Sequence, residues 1–163
     1  MGSGKSAVGR ALGEKLKTTV ADLDDRIAGR SGCSVAEVFA LHGEPAFRER
    51  ECQALQEATL DGSGVIACGG GIVLLEANRT LLAQGCRTVW LDVEITEAAR
   101  RVGPDRAARP LLQDGPLFER LDRLLRERGK FYAQVAIARI DTSGRDIDEV
   151  AGLVLDTLEI RCA

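Results

Sequence analysis

Met1-Gly2-Ser3-Gly4-Lys5-Ser6 opens the chain, and the reading of the rest depends on it. Gly4, Lys5 and Ser6 fill the last three positions of the phosphate-binding pattern G-x-x-x-x-G-K-[ST]. Glycines let the backbone curl so that successive N–H groups point at phosphate oxygens, and the helix that follows adds its positive amino end. In that arrangement Lys5 reaches the β- and γ-phosphates as a point charge and the Ser6 hydroxyl binds Mg²⁺. Val8, Leu12 and Leu16 recur at helical spacing beyond the loop, with Ala7 and Ala11 beside them. A plainer reading takes Gly/Ser as a terminal scar, and another takes Met-Gly-x-x-x-Ser as a myristoylation signal. Neither accounts for Gly-Lys-Ser leading directly into an apolar helix.

The chain has 163 residues, within the range of one domain with a real core. Apolar residues make up 45% and charged residues 29%, an ordinary balance for a globular protein. A net charge of −3 and an aromatic content of 4% argue against a nucleic-acid surface, which needs a basic field and stacking platforms. No apolar run approaches the roughly 20 residues of a membrane span, and no signal-peptide pattern is present. A cytoplasmic monomer with no membrane or nucleic-acid partner is the expectation. Cys33, Cys52, Cys68, Cys86 and Cys162 form no C-x-x-C pair and read as small apolar residues rather than metal ligands. The single histidine, His42, lies in a helix-ending turn and reads as a surface residue, poorly placed as the base of a hydrolase.

Short apolar runs alternate with helical stretches. Thr18–Asp22, Val65–Cys68, Thr88–Asp92 and Ile137–Asp141 read as strands. Helices are expected at about 25–30, 34–41, 44–60, 76–83, 96–102 and 147–158, with two more between 117 and 136. This order predicts an α/β fold, a parallel sheet with helices on both faces, whose ligands bind beyond the carboxyl ends of the strands. Polar clusters sit at those ends: Asp22 to Asp25, Gly69 to Gly71, Asp92, and Asp141 onward. The stretch 103–115 is the one long irregular piece and reads as a lid.

Kinase chemistry needs a metal, a phosphate clamp, an acceptor site and a mobile cation. Asp22 suits the outer shell of the metal, and Asp24 suits the acceptor hydroxyl as proton acceptor. The same acids also read as a simple helix cap. Gly69-Gly70-Gly71 after a strand marks a close backbone approach, or else a tight turn. Arg48 and Arg128, if they converge, form a clamp for a carboxylate, although singly each reads as a solvated surface residue. Arg109, inside the lid, is placed to act as an arginine finger.

Together these pieces resemble shikimate kinase over nearly the whole chain. They are Gly-Ser-Gly-Lys-Ser6, Val-Ala-Asp22-Leu-Asp24, Ser34-Val-Ala-Glu-Val-Phe39, Gly43-Glu-x-x-Phe47-Arg48-x-x-Glu51, Gly69-Gly70-Gly71, Arg109-Pro-Leu-Leu112, Arg128-x-x-x-Tyr132 and Asp141-Thr-x-x-Arg145. The resemblance implies phosphoryl transfer from ATP to the 3-hydroxyl of shikimate, on the way to aromatic amino acids. It implies ATP contacts from Gly2, Ser3, Gly4, Lys5, Ser6 and Ala7, with Arg101 and Arg145 flanking the adenine. Mg²⁺ would be held by Ser6 and, through water, Asp22. Shikimate would meet Asp24, Phe39, Phe47, Arg48, Gly69, Gly70, Gly71 and Arg128. Lys5, Asp24 and Arg109 would be catalytic, with Arg109 also contacting ATP as it bridges nucleotide and substrate from the lid. A gluconate-type kinase shares the loop but lacks the remaining motifs, and a binding module without turnover is the other alternative. The family pattern also begins with a central strand and a further glycine that this sequence does not contain. The native protein is therefore expected to start upstream of Met1, and the sheet of this chain to carry an open apolar slot.

Overall fold

Asp22 ends the first strand and starts the second helix in one step, because its carboxylate accepts the Asp24 N–H at 3.0 Å. Such local stops and starts set the element order throughout the structure, a computed structural model that describes residues 1–108, 110–113 and 115–160. The helices are α1 (Lys5–Leu16), α2 (Leu23–Ser31), α3 (Val35–Leu60), α4 (Glu76–Gly85), α5 (Ile95–Val102), α6 (Leu117–Val135) and α7 (Ile147–Thr157). The strands are β1 (Val20–Asp22), β2 (Val65–Ala67), β3 (Val89–Asp92) and β4 (Ala138–Asp141). Ser34 with Glu37, and Asp146 with Glu149, form reciprocal capping boxes at the starts of α3 and α7.

Helix α3 joins the two helices expected at 34–41 and 44–60. Gly43 interrupts it at φ 75°, ψ 174°. Pro45 follows in the first turn of the resumed helix, where a missing N–H costs nothing. Between 117 and 136 there is one helix rather than two, since no breaker interrupts its apolar face. The stretch expected to be irregular is also more ordered than its sequence suggests. It winds into 3₁₀ turns at Gly103–Ala108 and Pro110–Leu112, around a fully buried Leu112. Arg106 gathers the carbonyls of Leu112, Gln113 and Gly115 at 2.8, 3.1 and 2.5 Å. Arg109, the expected finger, lies outside the described residues, as does Cys162.

The strands form two parallel pairs. Val20 to Asp22 run beside Val65 to Ala67, and Val89 to Asp92 beside Ala138 to Asp141. Among the described residues no ladder joins β2 to β3. Both instead line a cavity of about 1200 Å³, together with Leu12 and Leu16 of α1, Leu82 of α4, Leu124 of α6 and Leu155 of α7. β1 and β4 do not line it, so they are the outer strands. This is the expected slot in the middle of the sheet. No described helix is long and apolar enough to cross a membrane.

Candidate active site

The first residues of the chain line the cavity together with the triglycine that follows β2. Gly2 and Gly4 hold φ of 73° and 83°, a left-handed conformation that side chains disfavour. Gly4 caps α1 without any side-chain bond, so no capping side chain occupies the positive end of that helix. From the first turn of α1, Lys5 Nζ reaches Asp24 Oδ2 at 2.9 Å, Ser6 Oγ at 3.4 Å and Asp22 Oδ2 at 3.9 Å. Asp22 thus serves both as the cap of α2 and as a carboxylate beside the phosphate loop. The helix-capping reading of the acid cluster is correct for Asp22, and it coexists with a place at the site.

Arg48 and Arg128, buried to 7% and 4% exposure, are not solvated surface residues. They converge on the triglycine. Arg48 donates through Nε and Nη2 to Glu44 Oε1, at 3.1 and 2.7 Å, and through Nη1 to the buried Glu51. Its guanidinium lies 5.9 and 5.3 Å from the ring centres of Phe39 and Phe47, which pack 4.4 Å apart. Burial pushes the Glu51 carboxyl up, against the pull of Arg48. Burial works against the Arg48 cation, but Glu51 and Glu44 outweigh it and hold that guanidinium charged. Arg128 Nε is buried and has no hydrogen-bond partner among the described residues.

The triglycine is a close approach rather than a spare turn. A side-chain carbon on Gly71 would collide with the Arg48 guanidinium, and one on Gly69 would sit 2.7 Å from Glu51 Oε1. On Gly70 it would lie 3.0 Å from the Tyr132 hydroxyl. That hydroxyl donates to the Gly70 carbonyl at 2.6 Å.

The phosphate loop from Gly2 to Ala7, Asp24, the Phe39–Phe47–Arg48 group, the triglycine, Arg101 and Arg128 all line the one cavity. Asp22 and Arg145 are not among its walls. Arg101 holds Glu97 at 2.9 Å, the Gly2 carbonyl at 3.2 Å and the Thr142 carbonyl at 2.9 Å. It ties the phosphate loop to the turn after β4. Arg145 is exposed and donates to the Asp141 carbonyl at 3.1 Å. Glu51 and Tyr132 are the residues to which the sequence assigned no role. Their signal was spacing: each lies three or four positions from a site arginine, on the same helix face.

The arrangement joins a phosphate-binding loop to a cationic pocket lined by aromatic rings. The sequence matches the shikimate kinase family model over residues 1–159. It is 46% identical over 157 residues to the shikimate kinase of Frankia casuarinae, covering 96% of this chain and 68% of that protein. It is 42% identical over 161 residues to that of Streptomyces avermitilis, covering 99% and 92%. The fold superposes with a TM-score of 0.93 on a shikimate kinase from Acinetobacter baumannii in complex with shikimate. That pair is 33% identical, over 98% of this chain and 88% of that one.

Proposed function

The chain belongs to the shikimate kinase family, and we propose that its cavity transfers the γ-phosphoryl group of ATP to the 3-hydroxyl of shikimate. The observation that carries the residue assignments is Arg128, a buried arginine with an unpartnered Nε beside a backbone stripped of side chains, in the same cavity as the Gly-Lys-Ser loop. A buried guanidinium with an orphan donor is costly unless something anionic meets it. A flat carboxylate fits the fork of Arg128, and the grip of Glu44 on Arg48 supports a carboxylate at that second fork. Phe39 and Phe47 pack against the acceptor ring.

Lys5 is held by Asp24 in this structure. Phosphate oxygens entering the loop compete for Lys5, and Asp24 is released to accept a hydrogen bond from the acceptor hydroxyl. The hydroxyl oxygen then bonds to the γ-phosphorus as the bond to the β-phosphate oxygen breaks. The proton passes to Asp24, and ADP leaves. Lys5 and the amino end of α1 stabilise the charge that builds on the transferring group. The Ser6 hydroxyl and the Asp22 carboxylate, whose side chain is 8% exposed, are hard oxygen donors of the kind Mg²⁺ takes alongside water and phosphates. When bound, the ion neutralises charge on the β- and γ-phosphates. Arg109 is assigned as the covering cation from the lid at 103–115, on its sequence context alone. Arg101, at the loop and the turn after β4, lies where it can flank the adenine, and Arg145 forms the outer edge.

The test is ADP release by this chain with Mg-ATP, with and without shikimate. ADP release that requires shikimate is expected. Equal release in both arms, or none in either, overturns the reading.

A further inference from the structure

Three successive carbonyls, those of Ile72, Val73 and Leu74, are held by two neighbouring side chains of helix α4. Asn78 Nδ2 donates to the Ile72 carbonyl at 3.0 Å, and Arg79 Nη1 donates to those of Val73 and Leu74 at 2.8 and 3.0 Å. These carbonyls belong to the 3₁₀ turn that leaves the triglycine. That turn also fixes the triglycine itself. The Ile72 N–H donates to the Gly69 carbonyl at 3.1 Å, and the Leu74 N–H to the Gly71 carbonyl at 3.0 Å. Tyr132 takes the Gly70 carbonyl at 2.6 Å, so all three glycine carbonyls are engaged inside the protein. Among the described residues, no hydrogen bond takes the N–H of Gly69, Gly70 or Gly71, and all three glycines line the cavity. Gly69 and Gly71 are buried, and buried backbone donors are costly without a partner, so this wall is built to meet oxygens of a ligand.

Arg79 has a second attachment. Its guanidinium lies 4.5 Å from the ring centre of Phe131, which sits on α6 between Arg128 and Tyr132. Arg79 thus joins the turn after the triglycine to the helix that carries Arg128. It does so from behind, since neither Asn78 nor Arg79 is among the cavity walls. Bonds to two carbonyls alone would steady the turn. The stack on Phe131 couples that turn to the opposite wall of the pocket.

We propose that Arg79 is a positioning residue for the acceptor, setting the spacing between the triglycine backbone and Arg128, with Asn78 fixing the first carbonyl of the turn. This rests on the shikimate reading given above. An acceptor whose carboxylate meets the Arg128 fork also meets the triglycine, so a shift of the turn against α6 loosens its grip on both sides. The contacts of the phosphate loop run elsewhere, from Gly2 to Arg101 and from Lys5 to Asp24. Nucleotide binding should therefore not follow the turn.

The experiment compares Arg79→Met and Arg79→Lys with the unaltered chain, varying shikimate and Mg-ATP separately. Methionine keeps an apolar stem against Phe131 and removes both carbonyl bonds. Lysine can restore them, because both bonds leave Arg79 from one nitrogen and an ammonium carries three donors. The expected result for Arg79→Met is a rise of about tenfold in KM for shikimate, on the scale of one charge-assisted hydrogen bond. The KM for ATP and kcat should both stay within about twofold, as for an interaction that grips one substrate in ground and transition state alike. Arg79→Lys should return the KM for shikimate to within about threefold of the unaltered chain. Trp90 is the one tryptophan of the chain and lines the same cavity, so titrating its fluorescence with shikimate gives the binding loss independently of turnover. A general loosening of the fold would raise both KM values together, or would show no recovery in Arg79→Lys. Either result overturns the proposal, as does an unchanged KM for shikimate in Arg79→Met. Should Arg79→Met fail to fold, the milder Arg79→Gln takes its place under the same criteria. If the unaltered chain shows no shikimate-dependent ADP release, the functional reading fails. If it turns over and one of the overturning results appears, this inference alone fails.

Discussion

The two sides of the cavity are built differently. On the side proposed for the acceptor, one apolar cluster runs from Ala21 and Leu23 through Val38, Phe47 and Leu55 to Ile72, Leu82 and Val135. It carries Arg48, Glu51, the triglycine and Arg128 on its upper surface. On the nucleotide side the core is split. Val8, Ile140, Val150 and Val154 form one cluster, and Val93, Ala98, Val102, Leu112 and Leu124 another. Helix α1 reaches both sides of the cleft between β2 and β3, with Gly9 against Ala67 and Val65 and with Val8 in the cluster of Ile140 and Val154. The phosphate loop lines the cleft, held by glycine conformation, by Arg101 and by the close packing of Gly2 and Met1 against Ala98 and Val102 of α5. One site is pre-formed by burial and the other by backbone shape. Acceptor selectivity should therefore resist small changes in the sheet, while phosphate binding should depend on a few contacts.

The largest expected effect separates the two sides most sharply. Lys5→Met removes the cation proposed to meet the transferring group, and kcat should fall by about 10³- to 10⁴-fold. Fluorescence titration should meanwhile show shikimate affinity within about threefold of the unaltered chain. A comparable loss of shikimate affinity would show that the Lys5–Asp24 pair builds the acceptor pocket too, and the contrast would fail.

Next in size is a test of the cleft. Cys68 and Cys86 line it, and burial pushes the Cys68 thiol up to about 12 from an ordinary 9.0. A raised thiol pKa means that the thiolate, the reactive form, is scarce at pH 8. Alkylation of Cys68 should therefore be about 10³-fold slower than for a free thiol. Its rate should climb steadily with pH, with no plateau below 11. Fast labelling with a plateau near pH 9 would mean that water fills the cleft and that Cys68 is not shielded from solvent.

On the acceptor side, Arg128→Ala should raise the KM for shikimate by about 10²-fold, as expected for charge-assisted hydrogen bonds in a buried site. The KM for ATP should not move. Glu51→Gln leaves the buried Arg48 with Glu44 as its charged partner, and thermal unfolding should show a loss of about 2 kcal/mol. An unchanged melting curve would remove the claim that buried ion pairing shapes this half.

The sequence made the acceptor side easier to read than the sheet. Gly69-Gly70-Gly71 stands out because a glycine run costs backbone entropy without a purpose, whereas Phe47-Arg48 was legible only through the family pattern, since a single arginine on a helix reads as solvated. The strands β1 and β2 were also legible as apolar runs, but their separation from β3 was not a property of any one segment. It was reached only through the missing piece of a family pattern, and the structure then placed the cleft. Glu51 and Tyr132 stayed unassigned because acids and phenols at helical spacing usually face solvent or core. Only the three-dimensional approach of Gly69 and Gly70 gives them work. The break in α3 was equally legible: Gly43 and Pro45 read as breakers, and the structure kinks at Gly43 and restarts the helix with Pro45 in its first turn. The stretch 103–115 was read as irregular because Gly103, Pro104 and Gly115 mask the turns that Arg106 and Leu112 organise.

The smallest effect probes the weakest link, the hold of Arg101 on the phosphate loop. Glu97 keeps Arg100 and Arg101 in place, and the Arg100 hydrogen bond, with help from Arg101, lowers its carboxyl to about 2. The folded pKa lies below the ordinary 4.5, so the stability that the charge adds is fully present above that value and is lost as pH falls from 4.5 towards 2. Across the range where a kinase is assayed, Glu97 is therefore always ionised and contributes no pH dependence of its own. Glu97→Gln should weaken the grip of Arg101 on the Gly2 carbonyl and raise the KM for ATP by about threefold, equally at pH 6 and pH 9. The KM for shikimate should stay constant, since the acceptor pocket shares no described contact with Glu97. A matching rise for shikimate would mean that the phosphate loop and the triglycine move as one body. Arg101 would then be the strut between the two sides rather than a support for one of them.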